Sequence, residues 1–309
     1  MLKKLKNTLK SINSIHESSN EKNLRNKLVE LEEKFGLFPP GHYYSPLPDF
    51  DFFRNEKESK IKIYSELISI DINKNEQLKL FNEFIGYYKE LPFSENKSKY
   101  FYYFYENPSF SYSDAIFLYS MIRKTRPKRI IEVGSGYSSC VMADTNRLFF
   151  KNSIDLTFIE PYPELLETLM PINKPFSHLI SSPIQEVPIS IFEKLSNNDI
   201  LFIDSSHVSK VNSDVNHLFF EVLPRLKKGV YIHFHDIFFP FEYQDSWISE
   251  GRAWNENYIL RAFLSFNNSF KIVFFNNYLI RFFESMFSEH MPLCLRNGGG
   301  SIWLVKTKN

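Results

Sequence analysis

From Lys128 onward the chain alternates short apolar runs with longer amphipathic stretches. RIIEVG (129–134), LTFIEP (156–161), DILFIDSS (199–206) and VYIHFHD (230–236) are each bounded by polar or turn-forming residues. A weaker run, HLISS (178–182), lies between the second and third of these, and KIVFFNN (271–277) and SIWLVKT (301–307) close the chain. Near-continuous apolar runs of this length predict strands covered by helices on both faces. The intervals between most of them are long enough for crossover helices. The pattern therefore predicts an α/β protein with a mostly parallel, Rossmann-like sheet.

The first part of the chain has a different texture. Residues 1–38 are highly charged and helical in pattern, with Leu24, Leu28, Leu31 and Phe35 at helical spacing. Leu2, Leu5, Leu9 and Ile12 share a helical face opposite Lys3, Lys4, Lys6 and Lys10, which suits a packing helix or a helix lying on a membrane surface. In Phe38–Phe50, prolines and a glycine interrupt any helix, leaving an aromatic loop that is either a linker or a lid. A second helix is expected from about Asn75 to Leu91, and Ser113 reads as the N-cap of the helix that follows. We place a helical and aromatic N-terminal extension or cap at 1–95 and the α/β domain at 96–309.

Composition narrows the classes. The chain has 309 residues, 43% apolar and 24% charged, with 37 Lys+Arg against 36 Asp+Glu, which is globular usage without the basic excess of a nucleic-acid binder. The two cysteines fit a reducing compartment, the N-terminus lacks the apolar core of a secretory signal, and no run is long enough to span a bilayer. A cytoplasmic protein with no nucleic-acid partner and no transmembrane segment is expected. Aromatics reach 17%, a number that codon bias accounts for more readily than a large aromatic binding surface does; they cluster at Phe38–Phe53, Tyr100–Tyr105 and Phe238–Tyr258, outside the strands, in segments that could roof a crevice.

Ile130–Ser139 (IIEVGSGYSS) puts Gly134 and Gly136 where a strand turns into a helix. Glycine permits the tight turn and lets bare backbone N–H groups approach a ligand. Ser139 stands where a dinucleotide-binding pattern would carry its third glycine, and the next strand ends in Glu160, placed to accept bonds from both hydroxyls of a ribose.

Glu132-x-Gly134-x-Gly136 followed by Glu160 resembles motifs I and II of the class I S-adenosylmethionine-dependent methyltransferases. The IDSSH and HD elements look most like the family 24 type, Methyltransf_24. The resemblance covers about Lys128 to Lys306. It implies a seven-stranded sheet with the last strand antiparallel, SIWLVKT filling that place after a hairpin-like RNGGG (296–300). By position it assigns Gly134, Ser135 and Gly136 to the methionine part of the cofactor, Glu160 to the ribose, Glu132 to backbone- or water-mediated support, and Gln185 to the neighbourhood of the adenine.

The fourth strand ends in Asp204-Ser205-Ser206-His207 and the fifth in His233-Phe234-His235-Asp236. Strand C-termini of an open α/β sheet meet in one crevice, so these groups are expected to converge beside the cofactor. Asp204, His235 and Asp236 form a candidate set for Mg²⁺ or another divalent metal. Without a metal, His207 or His235 serves as general base, with Asp204 beside it as a further catalytic candidate. Asp214 is either a carboxylate that orients His207 or an exposed helix charge. Trp247, Arg252, Trp254, Asn255 and Tyr258, in the long segment after the fifth strand, are candidate acceptor contacts, and some of them equally suit packing of a helix on the sheet.

These readings combine into a methyltransferase that places the methyl group of S-adenosylmethionine on a hydroxyl of a sugar, glycan or small metabolite, with or without a metal. The alternatives are an N-methyltransferase or hydroxylase on the same fold, and a non-catalytic partner protein that binds the nucleoside cofactor. Homo-oligomerisation stays open.

Overall fold

The computed structural model describes residues 19–35, 38–55, 66–171 and 175–309. The leucine and lysine faces expected at residues 2–12 lie outside the described residues. The chain divides into two compact units, one drawing on Met1–Ser59 and Asp245–Ala253, the other on Lys60–Gln244 and Trp254–Asn309. In the first, helices α1 (Ser19–Phe35) and α2 (Phe50–Asn55) precede a short helix at Asp245–Ser249, to whose Ser249 carbonyl Arg54 Nε donates at 2.9 Å.

The second unit is built on seven strands: β1 (Arg129–Val133), β2 (Asp155–Ile159), β3 (His178–Ile180), β4 (Ile200–Ile203), β5 (Tyr231–His235), β6 (Phe270–Phe275) and β7 (Ser301–Lys306). Their order in the sheet is β3-β2-β1-β4-β5-β7-β6. All neighbouring pairs through β5 are parallel, and β7 runs antiparallel between β5 and β6. Every expected apolar run forms a strand. The central ones are buried on both faces, as their lack of polar alternation requires. Strand order reverses between β1 and β4, so the connections leaving their C-terminal ends run to opposite sides and open a crevice.

Helices cover both faces. Helix α3 (Lys74–Tyr88) packs Phe84 on Phe274 of β6, and Gln77 bridges the two elements, accepting from Phe275 N at 2.7 Å and donating to Ile72 O at 2.5 Å. Helix α4 (Tyr112–Thr125) is buried over almost its whole length. Its N-cap is Ser111 rather than Ser113, whose hydroxyl is buried inside the first turn. Between β6 and β7 the hairpin expected from RNGGG is replaced by a helix at Asn276–His290, with the glycine stretch serving only to enter β7. An apolar face along that helix, carrying Tyr278, Leu279 and Phe287, packs into the core and makes the longer crossing favourable.

Several rings of the second and third aromatic segments go into the core rather than over the crevice. Tyr103 and Tyr105 are fully buried, edge-on to Phe93, and the Tyr103 hydroxyl donates to Phe110 O at 2.8 Å. Phe238, Phe239, Phe241 and Tyr243 are likewise buried. Rings of this size contribute most when fully removed from water, and the core takes them.

Candidate active site

At the C-terminal end of β1 the backbone turns sharply into helix α5 (Tyr137–Phe150). Gly134 has φ +82°, and a Cβ there would stand 1.8 Å from the Asp204 carbonyl oxygen, so only glycine fits. Glu132 lies buried below the turn, accepting from the hydroxyls of Ser138 and Ser139 on α5. Burial pushes its carboxyl up to about 8 in spite of those two donors. At the end of β2, Glu160 accepts from Ser135 N at 3.0 Å through Oε2 and from Tyr162 N at 2.9 Å through Oε1. Each oxygen keeps a further acceptor site.

Gly134, Ser135, Gly136, Glu160 and Asp204 line one cleft of about 190 Å³. Ser109, Phe110, Tyr137, Ser138 and Leu165 complete its wall. Leu165 belongs to helix α6 (Glu164–Leu169) beyond β2. The cleft combines bare backbone on one side, a carboxylate with spare acceptor capacity on another, and apolar surface beside both. Gln185 does not line it, and its Nε2 donates to Asn212 O at 2.7 Å.

Beside this cleft the ends of β4 and β5 meet. Ligand atoms of Asp204, His207 and Asp236 all lie within 4.8 Å of one another. His207 Nε2 is 3.4 Å from Asp204 Oδ1 and 3.6 Å from Asp236 Oδ2. The sequence pointed to Asp204, His235 and Asp236 as a set, but among the described residues His207 is the imidazole grouped with the two aspartates. The reason is backbone geometry: His207 has φ +59° and Asp236 φ +55°, and these left-handed residues turn both chain ends toward the same point. His235 remains close, its Nε2 3.6 Å from Asp236 Oδ1, while its ring packs against Phe110 and against His233 on the same strand face.

Charge follows from this packing. Burial works against a charged His207, but its bonds to Asp204 and Glu256 and their charges outweigh burial and hold the imidazole well above its usual pKa. Burial pushes Asp204 up, and His235 and His207 more than reverse it, so that carboxyl sits below its ordinary value. Asp236 goes the other way, raised by burial beyond what the two histidines offset.

His207 Nδ1 faces Glu256 Oε2 at 2.8 Å. Asp214 has another role: it heads helix α7 (Asp214–His217) and accepts from the backbone and hydroxyl of Ser206 at 2.8 and 2.5 Å. Glu256 has no motif to mark it, standing in the first turn of a helix at Glu256–Ser265.

The proposed acceptor residues separate. Trp247 and Arg252 belong to the unit containing Asp245–Ala253, where the guanidinium stacks 4.4 Å over the Trp247 ring centroid and bonds Glu250. Trp254 tilts against His207, with ring centroids 4.5 Å apart. Asn255 holds the main chain of Ser209 from both sides, at 2.6 and 3.2 Å. Tyr258 is exposed, its ring edge-on to Tyr243.

The strand order with its antiparallel β7, the glycine turn and the carboxylate at the end of β2 define the class I methyltransferase arrangement. A family model described as a methyltransferase domain, Methyltransf_24, matches residues 131–237. An uncharacterized protein of Archaeoglobus fulgidus is 37% identical over 169 residues, covering 53% of this chain and 76% of that protein. Among solved structures, the O-methyltransferase TomG of Streptomyces achromogenes, involved in tomaymycin synthesis and bound to S-adenosylmethionine, is 12% identical over 79% of this chain and 93% of its own, with TM-score 0.40. The methyltransferase PaMTH1 of Podospora anserina, bound to S-adenosylhomocysteine, is 12% identical over 81% and 100%, with TM-score 0.41. The chain belongs to the S-adenosylmethionine-dependent methyltransferases, in the Methyltransf_24 family.

Proposed function

We propose that the protein methylates a hydroxyl oxygen of a small, polar acceptor, a sugar or a sugar-bearing metabolite, held between the Gly134–Glu160 cleft and the Asp204–His207–Asp236 cluster. The observation that carries this reading is the convergence of two carboxylates and one imidazole at the mouth of the nucleoside cleft, with Asp204 belonging to both. S-adenosylmethionine supplies an electrophilic methyl group, so the protein's part is to orient the acceptor, take up its proton and exclude water.

In this reading the neutral form of His207, a stronger base than an ordinary imidazole, receives the hydroxyl proton at Nε2, and the carboxylates of Asp204, Asp236 and Glu256 around the ring stabilise the imidazolium that results. Trp254, packed beside that ring, offers a flat face on which a sugar ring can rest.

The same three side chains suit a divalent cation. Their donor set, two hard oxygens and one nitrogen, matches Mg²⁺ or Mn²⁺, and the opposite ring nitrogen is already engaged by a carboxylate, as metal-binding histidines usually are. When bound, such an ion would lower the pKa of an acceptor hydroxyl beside it. The test is methyl transfer from labelled S-adenosylmethionine onto a panel of sugar nucleotides, free glycans and small polyols, with and without added Mg²⁺ or Mn²⁺. Labelling of hydroxyl-bearing acceptors is expected. Labelling confined to amine-bearing acceptors overturns the O-methylation reading.

A further inference from the structure

We propose that Glu256 is a positioning residue that fixes the imidazole of His207 over the two aspartates, a role that rests on the reading of His207 as the proton-handling group. Glu256 lies 49 residues from His207 and outside the segment matched by the methyltransferase family model. Its carboxylate is fully buried, and Oε2 meets His207 Nδ1 at 2.8 Å. That contact occupies one edge of the ring and leaves Nε2 to Asp204 and Asp236.

The helix that carries Glu256 grips His207 by its main chain as well. The backbone N–H groups of Asn255 and Glu256 both donate to the His207 carbonyl, at 3.0 and 3.1 Å. The Asn255 side chain clamps Ser209 two residues further on, and Trp254 packs on the imidazole face. Side chain, main chain and neighbour thus hold one residue, whose φ of +59° a non-glycine residue adopts only when its surroundings impose it. Glu256 Oε1 is buried with no hydrogen-bond partner, so the bond to His207 is the polar contact that accounts for a carboxylate here. Packing alone would be served as well by an apolar side chain of similar volume.

With Nδ1–H donated to Glu256, the ring is held in the protonation form that turns Nε2 toward the reacting centre. This is read directly on full-length protein labelled with ¹⁵N-histidine, with no cofactor or metal added, from long-range proton–nitrogen spectra. The expected result is an Nδ1-bound proton far downfield of the amide region, assigned to His207 by its loss in His207→Gln. In Glu256→Gln that resonance moves upfield or is lost to exchange, while a thermal melt shows the variant folded. A resonance unchanged in a folded Glu256→Gln overturns the proposal. If Glu256→Gln does not fold, the wild-type spectrum decides alone, and a His207 protonated only on Nε2 overturns it. A purely structural Glu256 would lower the melting temperature and leave the His207 signals where they were. Failure to find an acceptor or a metal does not alter this spectrum, so the two readings fail separately.

Discussion

The carbonyl oxygen of Asp204 stands 1.8 Å from where a Cβ at Gly134 would be, so the glycine turn and the end of β4 are built against each other. Asp204 N also donates to Val133 O at 2.9 Å, extending the β1–β4 ladder into the site. Gly134→Ala must therefore strain the φ of +82° and push β4 aside together. We expect a loss of about 3 kcal/mol in chemical denaturation, from strain and overpacking combined. Binding of S-adenosylhomocysteine should be lost too. A variant with wild-type stability and affinity would show that this contact is dispensable.

Glu160 is expected to hold the ribose with the acceptor capacity left after its bonds to Ser135 and Tyr162. Glu160→Gln removes the charge and turns one acceptor into a donor. Hydrogen bonds to charged groups contribute about 1.5–3 kcal/mol. Affinity for S-adenosylhomocysteine should thus fall about tenfold to a hundredfold by calorimetry, with stability little changed. Unchanged affinity would remove Glu160 from the cofactor site.

Glu132 supplies a pH signature. Its folded carboxyl is pushed up to about 8 from an ordinary value of 4.5, so folding takes up a proton between those limits. This contribution is fully present below the ordinary value and is lost as pH rises through the folded one. Denaturant unfolding measured across that window should show stability declining with pH in the wild type. In Glu132→Gln, which keeps the shape of the neutral acid, the decline should be shallower. Equal slopes in both proteins would mean that Glu132 is ionised throughout.

The fold was legible because its signals are local. Seven apolar runs read as strands, since a strand buried on both faces shows no polar alternation, and Gly134 and Glu160 announced themselves by their place at strand ends. The imidazole that joins the aspartates was not legible. Whether His207 or His235 turns inward depends on left-handed backbone at His207 and Asp236, which no spacing rule reports. Glu256 was invisible for a similar reason, because a single glutamate in a helix's first turn looks like any other until the fold brings it to His207. The aromatic clusters lie outside the strands, yet Tyr103 and Tyr105 reach the core from a loop, which position along the chain does not report.

The cation reading predicts that wild-type protein binds Mn²⁺ at one site, seen by calorimetry or electron paramagnetic resonance. Asp204→Asn and Asp236→Asn should each weaken it by at least about tenfold, since each removes a charged ligand from a three-group set. His235→Gln should weaken it less, because that ring lies outside the set. Wild-type protein that binds no Mn²⁺, together with methyl transfer insensitive to chelators, would leave His207 as the proton acceptor without a metal.

The central claim is that Gly134, Ser135, Gly136 and Glu160 form the site of S-adenosylmethionine. Isothermal titration of the full chain with S-adenosylmethionine and with S-adenosylhomocysteine tests it most directly. The account predicts saturable binding of both ligands at one site, abolished by Gly134→Ala and weakened by Glu160→Gln. Absence of binding of either ligand at millimolar concentration would contradict it.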